Sequence, residues 1–447
     1  MSSSPTDESV NDYTFVCESD EWCRESCVGE PYYGEKEGKK YCVLHFPGKE
    51  KAFAFDEALK ARLKAQRFDF RGVWFPGETR FKGFHFTGEV LFSRAFFSEQ
   101  ANFSDAVFGG DVYFTYAEFN SEVSFNSATF RALAYFRHAS FREKADFQLA
   151  IFAGETDFTL TTFIADAEFD FTTIIDYIKF SGDEETQTFG EQSWLNLQHA
   201  RIDRPERVVF HTLKLRPHWF VNVDARKFNF ISVEWGWQPI INKEIESLKS
   251  RGLSQPHRLL SLACRQLAVN AEENHRYDEA SKFRYWSMYA RQQETWPGLG
   301  SWWKFRSWLS MQWSRVSKLP LLRFFNRNWL YWLYWAASGY GERVLRAFAV
   351  LICVWLLFTL LYTQVGFARW EPRLVSESDL AVAKRDEIGA PLSLSRALTY
   401  SFGVMTFQKP EPRPATTAAQ SLVIIETIFG PLQAALLALA IRRKFMR

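Results

Sequence analysis

The sequence lacks an apolar segment at its start, since residues 1–16 are polar and contain no core of a secretory signal peptide. It also lacks a strong charge of either sign: 54 Lys and Arg residues nearly balance 52 Asp and Glu residues, for a net charge of +2. This balance gives no support for a nucleic-acid partner. G-x-S-x-G, H-E-x-x-H, phosphate-loop and dinucleotide-binding motifs are absent. We therefore expect a protein that is not an enzyme.

Cysteine is sparse, with 6 residues in 447, but four of them lie close together near the N-terminus. Without a secretory signal, such a cluster favours metal ligands over disulfides. The motif Cys23-x3-Cys27-x14-Cys42-x2-His45 has the spacing of a zinc knuckle, so we expect these four residues to hold a structural Zn²⁺. Cys17 is an alternative member. The competing interpretation is a set of reduced cysteines without a ligand.

Phenylalanine is abundant, with 44 residues, and recurs at alternating steps of five and six. Two interleaved series, each with a spacing of eleven, contain Phe70, Phe81, Phe92, Phe103, Phe114, Phe125, Phe136, Phe147, Phe158, Phe169 and Phe180, and Phe75, Phe86, Phe97, Phe108, Phe119, Phe130, Phe141, Phe152 and Phe163, continued by Ile174. Neither a helix nor a strand produces this spacing. A small or β-branched residue often stands two positions earlier. The pattern indicates stacked coils with an inner ladder of phenylalanines.

The repeated A-x-F unit over residues 70–180 resembles the pentapeptide-repeat family. The resemblance implies a right-handed quadrilateral β-helix. Every second step has one extra residue here, so four sides take 22 residues, and about five coils fit into 70–180. After 180 the pattern weakens, and we expect irregular terminal coils or a β cap over 208–235. Residues 39–63 resemble the zinc-knuckle-like leader of some family members, which implies that the metal site covers the first coil.

The expected organisation is multidomain. Residues 257–293 have helical spacing with a break near Asn274–Tyr277, which predicts a hairpin that serves as a linker or as a docking surface. Residues 296–340 mix Trp and Tyr with Arg and Lys, as helices on a membrane surface do. The predicted segments are a zinc-knuckle-like module (1–60), a β-helix with its cap (61–240), a helical hairpin linker (241–295), interfacial helices (296–345) and a two-helix transmembrane domain (346–447).

Two long apolar segments, 347–367 and 418–441, can each cross a bilayer as a helix. Arg343 and Arg346 precede the first, and a basic tail follows the second. The positive-inside rule then places both termini in the cytoplasm and the protein in the plasma (inner) membrane, although the loop 368–416 is also basic. The two isolated cysteines, Cys264 and Cys353, are interpreted as packing residues.

Between these spans, residues 392–408 are predicted to re-enter the bilayer: an amphipathic helix over 392–405 ends in Thr406, Phe407 and Gln408, and a short extended segment follows. This order, with Glu426 and Gly430 in the second span, resembles the two-helix ion-channel superfamily. The C-terminal half resembles membrane-anchored pentapeptide-repeat proteins of prokaryotes. The glycine pair of a potassium filter is absent, so potassium selectivity is not expected, and Thr406 and Gln408 would line a pore. Gln433 is a candidate for hydrogen bonds between subunits.

Glu426 has two interpretations, because a carboxylate in a span is costly and usually faces protein or water. It is either a pore or gating residue, or it holds the re-entrant helix to the second span by a hydrogen bond. Two functions follow for the chain. One is an oligomeric ion-channel-like protein, with a tetramer preferred and the β-helix as a cytoplasmic sensory or scaffold domain. The other is a membrane-tethered interaction scaffold without conduction. Both imply membrane lipid and a cytoplasmic protein as partners.

Overall fold

The computed structural model describes residues 16–19, 27, 30–183, 188–191, 193–236, 241–295, 334, 336–340, 343–368 and 389–445. Cys23 and most of the predicted interfacial helices, at 296–333, lie outside these residues. The chain divides into two compact units, Met1–His275 and Arg276–Arg447.

The first unit begins with an antiparallel hairpin of β1 (Tyr32–Lys36) and β2 (Lys39–Cys42). Its two turn residues, Glu37 and Gly38, both have positive φ, at 53° and 75°, as a type I′ hairpin turn requires. A 3₁₀ turn (Lys49–Lys51) leads into α1 (Ala52–Lys64). The hairpin thereby brings residues that are distant in sequence into one small module.

The next part of the chain is a β-solenoid whose four walls consist of short parallel strands. Equivalent residues pair at intervals of 22, as in Val90, Val112 and Ala134. The coil length that the phenylalanine spacing predicts is therefore confirmed. Wall 1 has seven strands, so the solenoid makes about seven turns.

The strands are numbered in chain order and grouped by wall. Wall 1 contains β6 (Val90–Leu91), β10 (Val112–Tyr113), β14 (Ala134–Tyr135), β18 (Thr156–Thr159), β22 (Ile178–Ser181), β25 (Val208–His211) and β27 (Asn229–Ile231). Wall 2 contains β3 (Trp74–Phe75), β7 (Phe96–Phe97), β11 (Glu118–Phe119), β15 (Ser140–Phe141) and β19 (Thr162–Phe163). Wall 3 contains β4 (Thr79–Arg80), β8 (Ala101–Asn102), β12 (Val123–Ser124), β16 (Ala145–Asp146), β20 (Ala167–Glu168) and β23 (Leu195–Asn196). Wall 4 contains β5 (His85–Phe86), β9 (Val107–Phe108), β13 (Thr129–Phe130), β17 (Ile151–Phe152), β21 (Thr173–Ile174) and β24 (Arg201–Ile202). A further parallel pair joins β26 (Lys214–Leu215) to β28 (Glu234–Trp235).

The interior of the solenoid is filled by ladders of stacked phenylalanine rings. Phe125 lies 4.9 Å from Phe103 below it and 4.9 Å from Phe147 above it, with interplanar angles of 9° and 6°. This distance equals the spacing of paired β-strands, because the backbone hydrogen bonds between coils set the distance between the rings. Phe130 and the small residue two positions before it, Ala128, are both buried. The A-x-F unit therefore supplies one large and one small core residue per side.

The solenoid continues beyond the region where the phenylalanine pattern is regular. β25 and β27 extend wall 1 in parallel register, which agrees with terminal coils, the first of the two alternatives expected over 208–235. The last coil contacts two helices, α2 (Ile241–Ser250) and α3 (Pro256–Glu273). The buried Asn270 amide of α3 donates to the carbonyls of Ala225 and Phe228, at 3.3 and 2.7 Å. The first half of the predicted linker thus covers the solenoid end.

The second unit contains α4 (Tyr277–Thr295), α5 (Val344–Tyr362), α6 (Leu394–Met405) and α7 (Thr417–Phe445). The helices α5 and α7 are long and apolar enough to cross a membrane. The first span was expected at 347–367, but α5 ends at Tyr362, and Phe367 instead pairs with Ala390 and Pro414. The helix α7 is continuous through Pro431.

The three C-terminal helices share one small apolar core. Its buried members are Phe358, Tyr362, Phe367, Leu392, Ala397, Tyr400, Val404 and Ala419. Of the two isolated cysteines, Cys264 is buried in α3, as expected, whereas Cys353 is exposed on α5. The interpretation of Cys353 as a packing residue within the chain is therefore wrong.

Candidate metal centre and pore-like site

Four buried residues of the N-terminal module converge on one point: Cys17, Cys27, Cys42 and His45. Their ligand atoms all lie within 4.8 Å of one another. The hairpin turn places Cys42 at the end of β2, and the following turn returns to it, since the His45 amide donates to the Cys42 carbonyl at 3.2 Å. The cluster could hold a metal ion.

The orientation of the His45 ring is set by a backbone group of the first coil. Its Nε2 lies 2.8 Å from the Arg71 carbonyl oxygen, which can only accept, so Nε2 carries the proton. Nδ1 therefore turns its lone pair toward the cluster, where it lies 3.1 Å from the sulfurs of both Cys27 and Cys42. Metal-binding histidines are commonly held in one tautomer in this way.

The donor set fits Zn²⁺ by chemistry and by size. Zinc accepts thiolate and imidazole ligands in a tetrahedron, in which neighbouring ligand atoms are about 3.5–3.8 Å apart. The 3.1 Å contacts and the 4.8 Å limit bracket that value. The Cys42 amide also donates to the Cys17 sulfur at 3.4 Å, which stabilises a thiolate there.

Electrostatics within the cluster favour an anionic sulfur. Hydrogen bonds from the thiols of Cys27 and Cys42 lower the pKa of Cys17, although burial raises it. Close by, Lys51 is fully buried, and its Nζ donates to the Leu44 carbonyl at 2.6 Å. Burial lowers the pKa of Lys51 to about 7, while the thiolates of Cys42 and Cys17 oppose that shift. The sulfur-rich site therefore favours the charged form of Lys51, and burial disfavours it.

The structure brings together three of the four residues of the predicted zinc knuckle. Cys27, Cys42 and His45 belong to the cluster, and Cys17 is its fourth member. Cys23 lies outside the described residues. The sequence offered Cys17 as an alternative ligand, but its spacing from the other cysteines does not show whether it joins them. Cys17 reaches the cluster because the chain around it runs beside β2.

A second polar site lies among α5, α6 and α7. Glu426 of α7 is fully buried, and its carboxylate accepts hydrogen bonds from the Tyr362 hydroxyl at 2.5 Å and from the Ser401 hydroxyl. Tyr362 ends α5 and Ser401 belongs to α6, so one carboxylate joins all three helices. The Trp355 indole of α5 also donates to the Leu398 carbonyl of α6, at 3.1 Å. These contacts agree with the interpretation of Glu426 as a residue that holds α6 to the second span.

The residues expected to line a pore form the end of α6. The backbone N–H of Gln408 donates to the Gly403 carbonyl at 2.8 Å, and the backbone N–H of Phe407 donates to the Val404 carbonyl at 3.1 Å. With Phe407 at a φ of 60°, this is a Schellman motif that closes the helix. These residues therefore form the closing turn of α6, which ends at Met405 as the helical pattern over 392–405 predicts, and they satisfy its last carbonyls. The Thr406 hydroxyl likewise donates to the Phe402 carbonyl, at 3.0 Å.

Gln433 makes its hydrogen bonds within the chain. Its amide nitrogen donates to the carbonyls of Ala337 and Ala347, at 2.9 Å each, and the side chain is buried. Both amide protons are thereby used within the chain, which leaves the side-chain carbonyl oxygen as the group for the expected hydrogen bond between subunits.

Comparison with known proteins supports the repeat assignment. Residues 81–129 match a family model described as pentapeptide repeats (9 copies). This segment lies within the solenoid, where the resemblance predicted such repeats. The chain is therefore a β-solenoid protein that contains pentapeptide repeats. No curated protein and no solved structure matches the chain.

Proposed function

We propose that the chain is an oligomeric ion-channel-like membrane protein, in which α5 and α7 cross the bilayer and α6 enters it part-way. The buried Glu426 carboxylate carries this proposal, because it fixes a 12-residue helix, too short to cross a bilayer, to both long helices. The solenoid is then a cytoplasmic sensory or scaffold domain, with both termini on the cytoplasmic side of the inner membrane. The pore does not select potassium by a stack of carbonyls.

The outer faces of the two long helices support a lipid environment. Only 17% of the apolar window of each helix is buried within the chain. Leu357 and Leu360 of α5 are exposed, as are Ile428 and Leu432 of α7. Exposure of apolar surface to water costs about 25 cal/mol per Å². These faces are therefore expected to contact lipid and further copies of the chain. A homo-oligomer, with a tetramer preferred, surrounds the pore.

Thr406 and Gln408 line the conduction path in this proposal. The test is cation flux through liposomes that contain the purified full-length protein. Wild-type protein conducts, and Gln408→Ala or Thr406→Val changes the rate or the selectivity. Gln364→Ala, an exposed glutamine just after α5, is the matched control and leaves flux unchanged. Wild-type liposomes without flux, or flux that neither pore substitution alters, would contradict the proposal.

A membrane-tethered interaction scaffold is the second candidate, and one surface feature favours it. Along one edge of the solenoid, the Arg94 guanidinium lies 5.5 Å from the Tyr116 ring, and Tyr116 stacks on His138 at 4.4 Å. Tyr116 is half-exposed, and an ordered aromatic ladder of this kind suits a protein partner. Under this alternative the solenoid retains its partner when the spans are replaced by an unrelated anchor, and liposome flux is absent.

For the N-terminal module, we infer that Cys17, Cys27, Cys42 and His45 hold one structural Zn²⁺. Four protein ligands leave no position for water or substrate, so the ion stabilises the fold and does no chemistry. The test is metal content and the absorption spectrum of the Co²⁺-substituted full-length protein. Cys17→Ser loses the ion and the tetrahedral Co²⁺ bands, whereas Cys23→Ser keeps both. The reverse pattern would assign the site to Cys23, and a wild-type protein without bound metal would contradict the site altogether.

A further inference from the structure

Lys51 is a buried cation whose immediate neighbours do not neutralise it. The side chain has no exposed surface, and its Nζ lies 4.7 Å from the centroid of the Phe55 ring and 5.7 Å from that of Trp74. Its hydrogen-bond acceptor is a neutral carbonyl, that of Leu44. Within the described part of the chain, no carboxylate forms an ion pair with it. A buried ammonium without a counter-charge is unfavourable, so the charged form of Lys51 requires negative charge from another group.

The metal centre is the main source of negative charge that acts on Lys51, ahead of the adjacent Glu50 carboxylate. Leu44, whose carbonyl holds the Lys51 ammonium, lies between the two ligands Cys42 and His45 in the sequence. The thiolates of Cys42 and Cys17 are also the two groups that most favour the charged form of Lys51 and raise its pKa, followed by the Glu50 carboxylate. The hydrogen bond to Leu44 is not needed to satisfy that carbonyl, because the Trp74 amide also donates to it, at 3.1 Å. We therefore attribute the buried position of Lys51 to its charge and not to the hydrogen bond with Leu44.

The charge of the assembled centre matches one lysine. Metal ligation deprotonates cysteine, so three thiolates, one neutral imidazole and a divalent ion sum to a single negative charge. A monovalent ion such as Cu⁺ would leave two negative charges for the same lysine. We propose that Lys51 is the buried counter-charge of the metal centre and adapts it to a divalent, thiolate-preferring ion. This inference rests on the metal site proposed above.

The test compares Lys51→Met with Lys49→Met in the purified full-length protein. Lys49 is an exposed neighbour that pairs with Glu99 at the surface, so its loss serves as the matched control. Zinc affinity is measured by competition with a chromogenic chelator. We expect Lys51→Met to weaken zinc binding by about 10–100-fold, as the loss of a residue that supports metal ligands does, and Lys49→Met to leave it unchanged.

A second measurement separates charge balance from simple packing. The thermal midpoint of each variant is measured with zinc and after chelation. Without the ion, Lys51→Met removes a buried charge and stabilises the protein, whereas with zinc it destabilises the protein, so the shift changes sign. A packing role would move both midpoints in the same direction. Lys51→Gln is measured in the same way if Lys51→Met does not fold.

The outcomes distinguish this inference from the site on which it rests. Wild-type protein that does not bind zinc would contradict the metal site itself. The role of Lys51 alone would be contradicted if the wild type binds zinc, Lys51→Met binds it with equal affinity, and the thermal midpoint of Lys51→Met shifts in the same direction with and without zinc.

Discussion

At the scale of single residues, the core phenylalanines should contribute far more to stability than equally large exposed ones. Phe125 is stacked between Phe103 and Phe147 and has no exposed surface, whereas Phe53 of α1 is 84% exposed. We expect Phe125→Ala to lower the free energy of unfolding by about 3–5 kcal/mol and Phe53→Ala by less than about 0.5 kcal/mol. Urea denaturation in detergent, followed by circular dichroism, measures both. Losses of equal size would show that the ladder is not the core.

Glu426 should be energetically coupled to its two hydroxyl partners. Glu426→Leu leaves the buried Tyr362 hydroxyl without its acceptor, at a cost of about 1–3 kcal/mol, whereas the Ser401 hydroxyl keeps the Trp355 carbonyl as an acceptor at 3.4 Å. Tyr362→Phe should then cost less in the Glu426→Leu background than in the wild type, with a coupling energy of about 0.5–3 kcal/mol. Thermal unfolding of the four variants in detergent measures the cycle. Strict additivity would mean that the hydrogen bond does not hold the helices together.

At the scale of elements, the contact between α6 and α7 should depend on the absence of a side chain at Gly430. A Cβ there would lie 2.7 Å from the Met405 Cγ. In most helix interiors Gly→Ala stabilises by about 0.5–1 kcal/mol, but here we expect Gly430→Ala to lower the thermal midpoint, because α6 must move away. Met405→Ala should partly restore the double variant. A stabilised Gly430→Ala protein would contradict the close packing of these helices.

The metal centre should control the first coil of the solenoid more than the middle coils. His45 bonds the Arg71 carbonyl, the Trp74 amide bonds Leu44, and Phe55 packs edge-on against Phe75 at 5.3 Å. Removal of the ion by a strong chelator should therefore reduce hydrogen-exchange protection over residues 68–75 and leave residues 123–147 protected. Exchange followed by mass spectrometry measures this. A uniform loss of protection, or none, would exclude a role for the module as a local cap.

The coil period was predictable from the sequence because each side of the solenoid repeats one buried unit. The corners were not, since the positive φ angles of Ser127, Leu149 and Phe171, 57°, 58° and 56°, fall on residues that rarely adopt that conformation. Their backbone is set by the hydrogen bonds between coils and not by local preference. The motif that closes α6 had no signal in the sequence for the same reason: Phe407 takes a position that usually needs glycine.

At the scale of the whole molecule, contacts between residues that are distant in the sequence limited what could be predicted from it. Metal ligands that are close in the sequence, such as Cys42 and His45, could be identified from their spacing. Cys17 joins the cluster only because its chain segment runs beside β2. The cover of the last coil by α3 was missed because Asn270 acts through backbone carbonyls, which have no sequence signature. Glu426 could be singled out by its charge in an apolar helix, and only the fold identified its partners.

The central claim is that α5, α6 and α7 assemble from several copies into one membrane pore. Single-particle imaging of the full-length protein in lipid nanodiscs tests it most directly, because it counts the copies and locates α6. We predict a ring of four chains, with α6 inside the bilayer and Thr406 and Gln408 facing the shared axis. Single chains, or α6 outside the lipid, would contradict the claim.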